Sequence, residues 1–397
     1  MIIGNPIVIG GGGSSDGVAE GLFHAVYNAA EIESPLEDSE LHPVTEVPAE
    51  TFMSGSMSEV YFSSCVTIGR SAFAECRSLR RVSFPSCVTV GDYAFYNAEM
   101  LYEVGFENLQ YVGSDAFART GLSSFGDVFS KLKVVGDRAF ASCAQDNCES
   151  LWMEMPDLES VGQSAFDGLA EMCITLDLGK VTSVNNAFGI DSSSTYAFSR
   201  LESLSMSCVL SVPPYMFNGA GRLTVADIQA CTEVGSSAFY GCVRLSSVSA
   251  PSLATIGACA FENCFNLVDF AQFSMVESVG AGAFSIDPSE AATVSSASSG
   301  GAYSEVVLNM PRLAHVGSWA FQGRQLAVVS LPSLQELGSG AFSECTIGTL
   351  YLMGSSVPTF GESVFLNATG PDTVYVPSSL YDAYMLTSLS DFNVVGV

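Results

Sequence analysis

The chain has 397 residues, longer than a single core usually grows, so it is either several domains or one elongated array. Hydrophobic residues make up 48% and charged residues 14%, a balance that excludes a disordered chain. Against 42 Asp and Glu stand 14 Lys and Arg, a formal charge of −28 that repels a nucleic-acid backbone or an anionic lipid surface.

In chain order, residues 2–9 read as a short strand broken by Pro6, and GGGGSSDG follows as a flexible stretch. Ser15 or Asp16 could cap a helix over residues 17–31, with Val18, Leu22, Phe23, Val26 and Ala30 on one face. The glycines resemble a dinucleotide-binding turn, but Gly10, Gly12 and Ser15 lack the third glycine and no second strand of a βαβ unit follows. Gly13 to Gly17 matches G-x-S-x-G around Ser15, yet a nucleophile elbow needs a long α/β sheet with Asp and His downstream. No basic leader precedes an apolar run, so no secretory signal is read, and no apolar stretch approaches the ~18 residues that span a bilayer. Membrane insertion is therefore not expected.

From about residue 43 a unit exemplified by VTIGRSAFAECRSL (Val66 to Leu79) recurs to the C-terminus. Ten copies carry Gly-x-x-Ala-Phe, and four degenerate copies end at Phe52, Phe188, Phe217 and Phe365, which makes about fourteen coils. Successive Phe positions 52, 73, 95, 117 and 140 lie 21 to 23 residues apart, inside the leucine-rich-repeat range. The repeat Gly should supply either a positive φ or a close backbone approach, the Ala a tight contact, and the Phe a stacked spine. After each Phe comes Leu-x-x-Val-x-Phe/Leu-Pro, as in LRRVSFP from Leu79. Its alternation predicts a short strand with Val82 and Phe84 inward and Arg81 and Ser83 outward, and stacked coils would align such strands in a parallel sheet. Longer Phe spacings, 140 to 166, 188 to 217 and 284 to 321, mark insertions, the longest over residues 286–305.

Of the twelve cysteines, Cys76, Cys143, Cys242, Cys264 and Cys345 each lie three residues after a repeat Phe, and Cys65, Cys87 and Cys231 precede a repeat Gly. Equivalent positions form ladders, so mostly free, buried thiols are expected, with Cys143 and Cys148 the local pair to check for a disulfide. No C-x-x-C occurs and His24, His42 and His315 lie far apart, so no metal or other cofactor is expected.

Units such as VTVGDYAFYNAEMLYEVGF and ATIGACAFENCFNLVDF resemble the BspA-type leucine-rich repeats of bacterial and protozoan surface proteins, over about residues 43–376. The resemblance implies an α/β repeat solenoid, a right-handed superhelix with a parallel β-sheet face. It implies an N-terminal segment 1–42, an array 43–372 and a C-terminal cap 373–397, whose VYVPSSLYDAY looks like a closing strand and helix. It also implies a non-enzymatic, adhesin-like protein at the cell surface or outside the cell, binding a protein or glycan partner. The alternative is a phage tail or fibre component attached through residues 1–40. One register of the outward strand positions supplies the candidate binding face: Arg81, Ser83, Glu103, Ser124, Glu154, Ser203, Ser205, Ser247, Ser249, Asp269, Asn309, Ser330 and Tyr351. Small hydroxyls dominate it, which permits close approach by an extended partner. Serine that only solvates a strand is the competing account of the same residues.

Overall fold

The computed structural model describes residues 36–37, 43–122, 125, 127–143, 151–184, 186–190, 197–287 and 306–397. The strand expected over 2–9, the helix over 17–31, Ser15, Ser124 and Cys148 lie outside the described residues. The chain is a parallel-strand solenoid of about fifteen turns, and by contact it divides into two units, Met1–Gly189 and Ile190–Val397.

The first coils of the first unit have three hydrogen-bonded sides, and the coil after Phe117 carries the 3-10 turn Asp127–Phe129 in place of one strand. On one side, Glu59–Tyr61, Arg81–Ser83 and Glu103–Gly105 stack in parallel with Glu59, Arg81 and Glu103 in register. Val82 and Phe84 are buried and Arg81 is exposed, as the alternation predicts. A second parallel ladder runs from Glu46–Val47 through Thr67–Ile68, Thr89–Val90, Tyr111–Val112 and Val134–Val135 to Ser160–Val161, burying the second residue of every pair.

The Gly-x-x-Ala-Phe segment forms the third side, and its backbone explains its composition. Residues four apart are left-handed: Ser71, Tyr93, Asp115 and Arg138 at φ 53 to 56°, and Glu75, Asn97 and Arg119 at φ 58 to 61°. In this backbone every second N–H points at the next coil: Ser71 donates to Asp92 O at 2.8 Å, Phe73 to Ala94 O at 2.7 Å and Glu75 to Tyr96 O at 2.8 Å. The repeat Gly is not among the left-handed residues. A Cβ on Gly136 would lie 2.6 Å from Ser114 N, and one on Gly257 2.6 Å from Ser236 N. Of the two reasons for a repeat glycine, close approach between coils is the operative one.

Burial of the Phe column follows from the same stacking. In the first unit Phe52, Phe73, Phe95, Phe117 and Phe140 stack with ring centroids 5.1 to 5.4 Å apart and planes within 16°. In the second, Phe239, Phe261, Phe284, Phe321 and Phe342 stack at 5.2 to 5.5 Å. The insertion between Phe284 and Phe321 leaves that spine unbroken, at 5.5 Å and 7°. Phe198, not counted among the repeat residues in the sequence, is fully buried and begins this spine at 5.1 Å from Phe217.

In four coils the residue three after Phe is a Cys that donates to the preceding coil. Cys76 Sγ donates to Phe52 O at 3.0 Å, Cys242 to Phe217 O at 3.3 Å, Cys264 to Phe239 O at 3.2 Å and Cys345 to Phe321 O at 3.0 Å. The thiol ladder is thus a register device as well as small apolar filling. Burial pushes Cys76 and Cys345 up to about 12, which keeps them protonated and unreactive. Arg324 takes the same column and is buried. It donates Nε to Phe284 O at 2.7 Å, Nη1 to Leu267 O at 2.8 Å and Nη2 to Cys264 O at 3.3 Å, with Phe270 under the guanidinium. Desolvation there lowers its pKa to about 10.

In the second unit the three-residue strands Ser203–Ser205, Val225–Asp227 and Ser247–Ser249 pair in parallel. Further along, Val307–Asn309, Gln325–Ser330, Thr346–Tyr351, Thr373–Val376 and Val394–Gly396 do the same. Between Ser249 and Val307 the strand is replaced by a 3-10 turn, Ala271–Phe273. Phe270 and Phe273, three apart, both point inward, so helical spacing has displaced the period of two. The short ladder passes this place without a break, through Thr255–Ile256, Ser278–Val279 and His315–Val316.

Helix is scarce, so the α/β expectation holds only in the loose sense of a strand and a turn per coil. Among the described residues α-helix is confined to Tyr381–Tyr384. It follows the strand Thr373–Val376, and the last strand, Val394–Gly396, returns beside it.

Candidate functional site

The outward positions of the longer strands make two adjacent rows on each unit, where the sequence suggested one register. In the first unit, Glu59, Arg81 and Glu103 form one row and Tyr61, Ser83 and Gly105 the other. Arg81 is bracketed by carboxylates, Nη1 at 3.3 Å from Glu59 Oε1 and Nε at 2.9 Å from Glu103 Oε2, and lies over the Tyr102 ring. Tyr61 donates its hydroxyl to Glu59 Oε2 at 3.0 Å; burial first and that contact second raise the phenol pKa. Glu154 sits opposite Asp177 on a further strand pair, next to the exposed Trp152.

In the second unit, Ser203 and Ser247 flank Val225, while Ser205 and Ser249 flank Asp227. Asp227 Oδ2 accepts from Gln229 at 3.2 Å, and its buried Oδ1 has no hydrogen-bond partner among the described residues. Asn309, Ser330 and Tyr351 share one row that continues to Tyr375, whose ring stacks on Tyr351 at 4.9 Å. Asp269 departs from the expected face. It stands before the 3-10 turn, accepts the Ala271 N–H at 2.9 Å, and lines an open cleft of about 420 Å³ with Val268, Ala271, Ser274, Val307 and Asn309.

Sequence reasoning passed over Tyr61, Asp227 and Tyr375. Tyr61 precedes the first intact Gly-x-x-Ala-Phe, Asp227 lies in a strand without the closing Pro, and Tyr375 was assigned to the cap. In each case the signal was the alternation itself, apart from the motif that normally flanks it. Among the described residues no cluster of three His, Cys, Asp or Glu could hold a metal ion. No helix there is long and apolar enough to cross a membrane.

The repeating unit is a coil of 21 to 23 residues with a Gly-x-x-Ala-Phe turn ladder, Cys donors and paired parallel strands. The profile of the BspA type leucine rich repeat region matches residues 33–147, 144–268, 210–299 and 302–394. The chain belongs to the BspA-type leucine-rich repeat family. No curated protein matches it. Among solved structures, a leucine-rich repeat protein of Bacteroides ovatus is similar at 15% identity, covering 84% of this chain and 88% of that one, with a TM-score of 0.35. The pneumococcal vaccine antigen PcpA is similar at 15% identity over 92% of this chain and 79% of that one, TM-score 0.29. A leucine rich cell surface protein of Faecalibacterium prausnitzii is similar at 16% identity over 89% and 83%, TM-score 0.25. With identities and TM-scores this low, the family assignment rests on the repeat match.

Proposed function

We propose that this BspA-type repeat protein is a non-enzymatic binding protein at the cell surface, and that its exposed strand rows engage an extended protein or glycan partner. The observation that carries this reading is the Ser203, Ser205, Ser247 and Ser249 grid, four small hydroxyls around Val225 and Asp227 on one parallel sheet. Such a surface offers hydroxyl donors, an apolar contact and a carboxylate without steric obstruction, which suits a long polar ligand laid across the coils. The formal charge of −28 opposes nucleic-acid partners and favours neutral or basic ones.

The test compares wild type with a Ser203→Trp, Ser247→Trp double variant on a glycan array and on immobilised extracellular-matrix proteins. Circular dichroism checks that both are folded. Binding by wild type and its loss in the variant support the reading. Equal binding by the two proteins removes the serine grid from consideration.

A further inference from the structure

The strand edges of the two coils on either side of Ala271–Phe273 are finished differently. On the side of Ser247–Ser249, the Gln272 side chain supplies the acceptor that a missing strand would have provided, taking the Val248 N–H on Oε1 at 3.2 Å. On the side of Val307–Asn309, nothing equivalent is present among the described residues.

Comparison with the other coils defines what is missing. In these strands a residue at or next to the end offers its carbonyl to the coil before it. Phe84 N–H reaches Gly105 O at 2.7 Å, Met206 reaches Asp227 O at 2.8 Å, Ile228 reaches Ser249 O at 3.0 Å and Leu352 reaches Tyr375 O at 2.9 Å. Asn309 holds that position, in register with Ser330 and Tyr351. Among the described residues no donor reaches its carbonyl. The residue in register with Val307 is Val328, whose N–H turns back to Val306 O. By that pattern the N–H and C=O groups of Val307 and Asn309 face the preceding coil, where the chain has turned away into Ala271–Phe273. Both residues are exposed. An accessible strand edge whose donors and acceptors meet no partner among the described residues is a template for another strand.

The cleft beyond this edge has a definite chemistry. Val268 and Val307 are exposed at 42% and 48%, Ser274 and Ala271 are small, and Asp269 supplies a carboxylate with no Lys or Arg among the lining residues. We propose that Val307–Asn309 captures an extended peptide segment as an added β-strand, with an apolar side chain between Val268 and Val307 and a Lys or Arg beside Asp269. Charge complementarity selects the partner, since the cleft is acidic and so is the whole chain. This site is separate from the serine grid and uses backbone edges in place of the sheet face.

The test uses a fluorescein-labelled peptide, Lys-Thr-Val-Lys-Val-Thr-Lys, followed by anisotropy with the full chain. The same peptide N-methylated at alternate residues loses the edge hydrogen bonds and should bind at least about tenfold more weakly. Its Glu-for-Lys counterpart should not bind, and Asp269→Asn should weaken the Lys peptide several-fold. Asn309→Pro removes one edge donor at a place where an edge strand tolerates proline, and should weaken binding to a similar degree as methylation. Hydrogen exchange should show the Val307 and Asn309 amides protected only when peptide is added. Ser203→Trp with Ser247→Trp should leave peptide binding unchanged, so failure here and failure of the serine grid are distinguishable. Absence of binding, or binding indifferent to N-methylation, overturns the proposal. So does protection of both amides in the protein alone, whether constant or rising with concentration, because the edge is then taken by this chain or a second copy.

Discussion

Gly257→Ala should destabilise the second unit even though Gly257 does not need a left-handed backbone. If conformational freedom were the only issue, the change would stabilise by about 0.4–1 kcal/mol, because alanine narrows the unfolded ensemble. The new Cβ, however, would lie 2.6 Å from Ser236 N, 2.8 Å from Gly235 C and 3.0 Å from Ser236 Cα, where ordinary contact begins at 3.4 Å. All three are backbone atoms of the preceding coil and cannot rotate away. Relief requires parting two coils joined by Gly257 N–H to Val234 O at 2.8 Å and by the Phe239 and Phe261 rings at 5.2 Å. Overpacking of this kind costs about 1–3 kcal/mol, so the net loss is about 1–2 kcal/mol. Gly221 is the matched control: its nearest contacts for a Cβ are 3.7 Å and 3.9 Å away, so Gly221→Ala should be neutral or mildly stabilising. The chain has two tryptophans, and in a Trp152→Phe background Trp319 reports the second unit by fluorescence. A urea midpoint lowered by about 0.5 M for Gly257→Ala, at a slope of about 2–3 kcal/mol/M, is the expected result. A midpoint equal to or above wild type would refute the close-approach argument.

Other consequences follow from the same geometry. Burial raises the Cys76, Cys87, Cys173 and Cys345 thiols to about 12, while in the unfolded chain they ionise near 9. The folded state therefore holds protons that the unfolded state has lost, and this stability, complete below pH 9, declines as pH rises toward 12. The loss is about 1.4 kcal/mol per thiol per pH unit, and thermal melts of reduced protein between pH 8 and 10.5 should show a slope that Cys76→Ala with Cys345→Ala makes shallower. Ser237 holds φ 54°. Ser237→Val should cost about 1–2 kcal/mol and Ser237→Gly almost nothing, an order that urea titration would reverse only if the turn ladder could relax. Arg324→Met strips donors from three buried carbonyls, Phe284, Leu267 and Cys264, and should cost about 3 kcal/mol or more. A calorimetric midpoint close to wild type would show that water replaces the guanidinium. Arg81→Ala removes exposed ion pairs and an exposed contact with the Tyr102 ring and should change stability by about 1 kcal/mol or less, measured as the salt dependence of unfolding.

Much of the architecture was legible along the chain because a solenoid repeats its local interactions. Gly-x-x-Ala-Phe recurs since every coil meets the next in the same way, and its spacing already implied stacked Phe rings and a sheet of short strands. The reason for the glycine was open on paper between a positive φ and a close contact. The distance from Gly257 to the Ser236 backbone decided it, and the left-handed residues turned out to be variable ones such as Tyr93 and Arg138. Likewise, the position of Cys76 after Phe73 announced a buried column, while the acceptor of its thiol, Phe52 O in the coil before, is a contact between residues 24 apart.

The binding face was less legible. Serines such as Ser203 and Ser247 were correctly placed on strand exteriors by period-two alternation, a property of the local chain. Their division into two rows, the pairing of Arg81 with Glu59 and Glu103, and the stacking of Tyr351 on Tyr375 depend on which coil lies beside which. Asp269 shows the limit most plainly. Its segment reads as one more strand until Phe270 and Phe273 both turn inward, and that substitution of a helical spacing leaves Val307–Asn309 without a neighbouring strand on one edge among the described residues. Sequence alone thus determined the repeated unit, because its causes lie within one coil and its next neighbour. Tertiary structure decided which backbone groups remain unpaired at a break in the repeat, because pairing is a relation between segments that the chain brings together only on folding.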